Sequence, residues 1–246
     1  MYTGRSLRGE VFRKMFHLLL TLAMAIPLTP HYQQIFTGMG FPYDATLFTY
    51  ALLTFASAFI NSLQIKVPSI YTTSLKMLKD FRKRIIEYIS ESVGVENVSD
   101  ILRSIDGAFE KHEERFTEFI ASIEREYERK HGYIGITFGT ISVTLAYTLF
   151  GPFPTLHGIL ALAVVDSITA IVTLLTKERC RKIFKHTTVS ILTAFVTYSA
   201  VCFLIGRNIL TAAAIASAAI IVELLSPEDN LTLPLAIALL TTILHL

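Results

Sequence analysis

Residues 155–175 read TLHGILALAVVDSITAIVTLL, a predominantly apolar run with one carboxylate, Asp166, near its middle. A helix needs about 20 apolar residues to cross the hydrocarbon core of a bilayer, so this run predicts a transmembrane helix. Placing a charge inside such a helix costs about 3 kcal/mol or more unless the charge is paired or meets water. Asp166 is therefore a candidate for a metal-linked or proton-linked role, or for a structural hydrogen bond between helices.

Six other runs have a similar apolar character, and the chain as a whole is 52% hydrophobic with a mean hydropathy of +0.52. This composition excludes a disordered chain, and two cysteines among 246 residues exclude a disulfide scaffold. Because no small-residue cleavage site follows the first apolar run along the chain, Met15–Leu28, we expect a membrane helix there rather than a signal peptide. The sequence thus predicts an all-α polytopic membrane protein with about seven transmembrane helices. The other six predicted spans are Met15–Leu28, Ala45–Leu63, Tyr133–Phe150, Thr188–Ile205, Ile209–Leu225 and Leu231–Leu246.

Charged residues are concentrated between the second and third predicted spans. Residues 75–131 contain 11 basic and 13 acidic side chains, more than half of the charged residues of the chain. We therefore divide the chain into residues 1–64 with two spans, a charged insertion at residues 65–131, and a catalytic-type membrane domain of about five spans at residues 132–246.

The insertion carries apolar residues at three-four spacing on either side of Gly94 and Asn97, which predicts a helical hairpin. Two interpretations of this hairpin are open. In the first, it is an appendage that either packs on itself or joins a second copy of the chain in a homodimer. In the second, it is a lid or docking arm that guides a substrate or a partner.

The positions of Lys and Arg predict the orientation, because basic residues are retained in cytoplasmic loops. With seven spans, 21 of the 22 basic residues fall in alternate loops: before the first span, between the second and third, and between the fourth and fifth. We therefore expect the N-terminus and the 65–131 insertion to be cytoplasmic. A net charge of only +2 argues against a nucleic-acid partner.

The predicted cytoplasmic boundary collects both acidic and basic side chains. Phosphoryl transfer depends on positioning and charge neutralisation, which carboxylates with a divalent cation and basic groups beside phosphates provide. Lys185 is the basic residue of most interest, because it precedes a hydroxyl-rich helix start whose free N–H groups can bind an anion. Glu223 lies two residues before the end of the sixth span, where an interfacial side chain and a functional one are equally good explanations. The sequence lacks the P-loop, Rossmann, zincin and serine-hydrolase motifs.

Three strings carry a family resemblance. EVFRKMFH at residues 10–17 leads into the first span, AVVDSITAIV at residues 163–172 lies in the fourth, and DNLTLPL at residues 229–235 stands at the start of the last. In this order they resemble the motifs of the polyprenol kinase family, which includes dolichol kinase, phytol kinase and the yeast-type diacylglycerol kinase. Members of that family are membrane enzymes that phosphorylate a lipid alcohol, typically with CTP. The resemblance spans most of the chain outside the insertion.

The resemblance implies roles for the matching positions. Asp166 and Asp229 would organise a divalent cation, Mg²⁺, and Lys185 would neutralise the phosphates of CTP. His17 would orient the lipid hydroxyl or act as its base; a loose transition state needs little deprotonation, which favours the orienting role. The implied catalytic residues are thus Asp166, Lys185 and His17, and the implied nucleotide ligands are Arg13, Lys14, Lys185, Ser190 and Asn230.

Three parts of the chain differ from the family pattern, and one of them, residues 173–179, reads TLLTKER where the family has a Gly-Arg-rich stretch. Val165 stands where the family usually has a glycine before the aspartate, and residues 185–190 read KHTTVS where the family has Lys-Ser/Thr-x-Glu-Gly-Ser. The carboxylate and the glycine of that second element are missing here. The alternatives to a CTP-dependent lipid kinase are therefore a cytidylyltransferase that joins CTP to a lipid phosphate, a non-catalytic family member acting as a scaffold, and a transporter that uses Asp166.

Overall fold

The computed structural model describes residues 7–66, 70–93, 104, 106–115, 117–118, 132–176 and 180–244. Within these ranges the regular structure is helical apart from two short antiparallel strands, β1 (Lys182–Ile183) and β2 (His186–Thr187), so the predicted all-α class is confirmed. The α-helices are α1 (Leu7–Ala23), α2 (Pro30–Gly38), α3 (Ala45–Lys66), α4 (Ile70–Val93), α5 (Ile134–Phe150), α6 (Pro152–Ala161), α7 (Ser167–Thr176), α8 (Thr188–Leu204), α9 (Ile209–Leu225) and α10 (Asp229–Ile243).

Three stretches in the described part of the chain are long and apolar enough to cross a membrane. They are Gly9–Leu28, which is most of α1 with the short 3₁₀ turn after it, Ala45–Lys66, which is α3, and Pro152–Thr176, which runs from α6 to α7. The helices α5, α8, α9 and α10 are also apolar, but each has only 15 to 17 residues. Length and composition therefore support membrane association through three helices, and the seven-span topology stays a prediction.

The chain forms two compact units, one made of Met1–Phe59 with Ile134–Leu246 and the other of Ile60–Tyr133. At the centre of the first unit, α6 and α7 are joined by one turn of π-helix at Leu162–Asp166. This turn contacts α1, α8, α9 and α10. Its neighbours are mostly small or aliphatic, which lets the helix backbones approach closely. The core around the turn includes Ala161, Leu162, Ala194, Ile215, Ala216 and Leu233.

The backbones of α6 and α10 approach each other closely at Gly158. A methyl group added at Gly158 of α6 would lie 2.4 Å from the carbonyl oxygen of Pro234, which lies inside α10. Because real carbon atoms do not approach an oxygen that closely, only glycine fits at position 158 without a shift of one helix. The fit fixes α10, and with it the chain segment that starts at Asp229, against α6.

The second unit contains α4 and the helical residues 106–115, and ion pairs join these two segments. Lys79 Nζ lies 2.8 Å from Glu110 Oε1, and Arg82 Nε lies 2.6 Å from Asp106 Oδ1 while the same guanidinium pairs with Glu113. These contacts agree with the predicted helical character of the insertion. The break predicted at Gly94 and Asn97 lies outside the described residues.

Candidate functional site

Asp166 closes the π turn between α6 and α7, and its side chain is 5% exposed. A π turn inserts an extra residue into a helix and is frequently found at functional sites. The Asp166 carboxylate meets Lys14 of α1, whose Nζ donates to Oδ1 at 2.6 Å and to Oδ2 at 2.8 Å. The lysine side chain is itself only 14% exposed, so this is a largely desolvated ion pair.

His17 adds a second contact from α1 to the same carboxylate. Its Nε2 lies 3.3 Å from Asp166 Oδ2, and its side chain is 28% exposed. Residues three apart in a helix share a face, which explains why Lys14 and His17 reach one target together. The first and fourth predicted spans therefore meet through three polar side chains.

Lys185 forms the second cation of the site. It sits in the tight turn between β1 and β2, next to Phe184, whose φ of 53° lies in the left-handed region. Its Nζ is 3.2 Å from Glu223 Oε1 and 3.4 Å from Asp229 Oδ2. Burial lowers the pKa of Lys185, but the negative charges of Glu223 and Asp229 outweigh that effect, so its pKa lies above the ordinary value. The ammonium group is thus charged at physiological pH.

Glu223 is the most deeply buried of these acidic groups, with 1% of its side chain exposed. Its Oε1 contacts His186 Nε2 at 3.0 Å as well as Lys185, and His186 Nδ1 contacts the Thr173 hydroxyl at 3.3 Å. Glu223 Oε2, in contrast, has no hydrogen-bond partner among the residues that the structure describes. One oxygen of this carboxylate is therefore held by hydrogen bonds, and the other is buried without a partner among the described residues.

Asp166, Glu223 and Asp229 converge although they come from three separate elements. One carboxylate oxygen of each lies within 4.8 Å of those of the other two. Hard cations such as Mg²⁺ take carboxylate oxygens as ligands, so the donor set is of the right kind. The three carboxylates are paired with only two ammonium groups, those of Lys14 and Lys185. The cluster therefore has an excess of negative charge when all three carboxylates are ionised. The residues present therefore fit a divalent cation.

The other predicted nucleotide ligands lie around this cluster with different environments. Ser190 is buried and forms a capping box with Thr187 at the start of α8, where its hydroxyl donates to the Thr187 carbonyl oxygen at 2.7 Å. That hydroxyl is engaged in holding the helix start. Asn230 is half-buried in the first turn of α10, and Arg13 is half-buried next to Lys14 in α1. The nucleotide-binding roles of these three residues stay predictions.

Two members of the cluster were not among the predicted site residues. The sequence leaves an interfacial and a functional role equally open for Glu223, and it marks His186 as one of the residues that depart from the family pattern. Their shared signal was an ionisable residue next to a long apolar run. That signal does not predict which residue each one contacts, because the contact between Glu223 and His186 depends on how α9 packs beside the β1–β2 turn.

We compared the chain with protein-family models, with curated proteins and with solved structures, and none of the three comparisons finds a match.

Proposed function

We propose that this protein is a membrane lipid kinase that transfers the γ-phosphate of CTP to the hydroxyl of a long-chain isoprenoid alcohol of the dolichol or polyprenol type. One observation carries the proposal. Side chains from the three family-like strings meet in one cluster of acidic and basic groups, in which Lys14 and Asp166 are 152 residues apart in the sequence. A cluster of this kind has the composition that phosphoryl transfer requires.

The proposed division of roles follows from charge. Asp166 and Asp229 would hold Mg²⁺, which when bound neutralises phosphate oxygens. Lys185 is 38% exposed, so its ammonium group can also meet a phosphate of CTP from the open side of the cluster. Lys14 donates to both oxygens of Asp166 and holds that carboxylate in place.

In the proposed reaction, the lipid hydroxyl oxygen forms a bond to the γ-phosphorus while the bond between that phosphorus and the β–γ bridging oxygen breaks. CDP leaves with the electron pair, and the hydroxyl proton is lost as the lipid phosphate forms. Because the transition state of such transfers is loose, the hydroxyl needs orientation more than early deprotonation. His17, held 3.3 Å from Asp166 and partly exposed, is placed for this orienting role and can take up the proton.

The acceptor is proposed to reach the site from the membrane. Beside Lys14 and His17, α1 exposes the large apolar side chains Phe12, Phe16 and Leu19. An apolar tail can lie along this face while its hydroxyl meets the cluster. The proposal includes about seven transmembrane spans, with the N-terminus and the insertion on the cytoplasmic side, where nucleotides are available.

The product of CTP turnover distinguishes the kinase from its main alternative. A cytidylyltransferase would draw on the same set of carboxylates and cations but would act on a lipid phosphate. Purified protein incubated with CTP, Mg²⁺ and either a polyprenol or a polyprenyl phosphate should release CDP with the alcohol. Release of pyrophosphate with the lipid phosphate would instead assign the transferase. Release of neither product by folded protein would favour the scaffold, which the altered Lys185–Ser190 element suggests as a third reading.

A further inference from the structure

Glu223 differs from the other two carboxylates of the cluster in the state of its oxygens. Both Asp166 oxygens accept from Lys14 Nζ, at 2.6 and 2.8 Å. Asp229 Oδ1 accepts from the backbone N–H of Asn230 at 3.0 Å, and its Oδ2 lies 3.4 Å from Lys185 Nζ. Glu223 Oε2 is buried and lacks a hydrogen-bond partner within the described ranges.

A buried oxygen without a partner destabilises the fold, and does so more when it carries charge. A bound ion that completes the shell of such an atom is one physical explanation for it. In Glu223 the anchored oxygen is held by Lys185 and by His186, and Thr173 orients the His186 ring in turn. This arrangement, with one oxygen fixed by supporting hydrogen bonds and the other open, is typical of a carboxylate that serves as a metal ligand.

We propose that Glu223 is a ligand of a divalent cation, which it binds through Oε2 together with one oxygen each from Asp166 and Asp229. His186 is then a positioning residue, since it acts on the cation only through Glu223. One oxygen of each of the three carboxylates lies within 4.8 Å of one oxygen of the other two, a spacing compatible with a shared cation, because oxygens on opposite sides of a metal at 2.0–2.6 Å are about 4–5 Å apart.

The two lysines determine when the cation binds. With Lys14 and Lys185 in place, the excess negative charge of the cluster is small, so a free divalent cation binds weakly. A nucleoside triphosphate brings further negative charge and ligand oxygens, so the cation binds more tightly in its presence. This second step rests on the proposed function, whereas the role of Glu223 as a ligand does not.

The test is binding of Mn²⁺, followed by electron paramagnetic resonance of the purified full-length protein, with and without a non-hydrolysable CTP analogue. Glu223→Gln keeps the size of the side chain and removes its charge. We expect it to weaken Mn²⁺ binding about tenfold or more. The matched control is Glu228→Gln, which removes a half-buried carboxylate that lies outside the three-residue group. Equal Mn²⁺ affinity in wild type and in folded Glu223→Gln would overturn the proposal.

A second variant changes the affinity in the opposite direction and keeps the test decisive should Glu223→Gln fail to fold. Lys185→Met removes the cation beside Glu223 while His186 still holds the same Glu223 oxygen, so Mn²⁺ binding without nucleotide should become tighter by about tenfold. Unchanged or weaker Mn²⁺ binding in that variant would contradict the proposal. Mn²⁺ binding that depends on Glu223 in a protein that phosphorylates no lipid would refute the proposed function alone. Lipid phosphorylation with Mn²⁺ binding that is independent of Glu223 would refute this inference alone.

Discussion

Lys14 Nζ lies 2.6 Å from one oxygen of Asp166 and 2.8 Å from the other, so one ammonium group neutralises a carboxylate that is 152 residues away in the sequence. The pair joins α1 to the π turn between α6 and α7. Buried ion pairs are costly to break from one side, because the remaining charge loses its compensation. The pair therefore ties the position of α1 to the integrity of the site.

The first prediction concerns the stability of this pair. Asp166→Asn leaves the Lys14 ammonium group buried without a full counter-charge and should lower the free energy of unfolding by about 3–5 kcal/mol. Adding Lys14→Met should recover part of that loss, with a coupling energy of about 1–3 kcal/mol in a double-mutant cycle. The free energy of unfolding in detergent is measured for the wild type, the two single variants and the double variant. Asp80→Asn, at an exposed position of α4, is the control. Additive effects of the two substitutions would show that the pair is not formed.

The second prediction concerns nucleotide binding by Lys185. Lys185→Met should weaken binding of CTP by about 1.5–3 kcal/mol, since a charge-assisted hydrogen bond to phosphate is lost. Lys182→Met removes the same charge at an exposed position of β1 and should leave the affinity unchanged. Isothermal titration of the purified proteins with CTP and Mg²⁺ gives both values. Equal losses in the two variants would assign the effect to general surface charge.

The third prediction concerns the contact between α6 and α10. Gly158→Ala forces a methyl group against the Pro234 carbonyl oxygen and should destabilise the fold by about 1–3 kcal/mol. Gly139→Ala is the matched control, because a methyl group there meets no atom within 4 Å and removes a flexible residue from α5. The control should be neutral or stabilising by up to about 1 kcal/mol. Thermal unfolding of both variants tests the fit, and equal stabilities would mean that the two helices are not in close contact.

The fourth prediction concerns orientation in the membrane. After Cys180→Ser and Cys202→Ala, single cysteines are introduced by Tyr43→Cys, at an exposed position between α2 and α3, and by Asp80→Cys in α4. A membrane-impermeant maleimide added to intact cells should label position 43 and should reach position 80 only after permeabilisation. The opposite pattern would invert the proposed topology, and labelling of both positions would mean that the predicted second span does not cross the membrane.

The sequence predicted the helices well because each apolar run is a local property. The predicted span Ile209–Leu225 matches α9 in both bounds, and Thr188–Ile205 differs from α8 by one residue. The first run was less well predicted: α1 begins at Leu7, eight residues before Met15, because the polar residues before the run continue the helix. The hydrophobic pattern marks only the apolar part of a helix and does not show how far the helix continues into polar residues.

The site was predictable only in part, for a physical reason. The cost of a charge in an apolar run marked Asp166 before any partner was known. The structure adds that Lys14 pairs with that aspartate and that Glu223 and His186 complete the cluster. These contacts depend on the π turn and on the packing of α9, which are properties of the whole fold and leave no short-range pattern in the sequence.

The central claim is tested most directly by transfer of label from γ-labelled CTP to a panel of lipid alcohols by the purified protein with Mg²⁺, with ATP as donor in parallel. The account predicts labelled lipid phosphate from CTP with an isoprenoid alcohol, retained in Asp80→Asn and abolished in folded Asp166→Asn. Equal transfer by wild type and Asp166→Asn, or no transfer to any alcohol by folded wild-type protein, would contradict it.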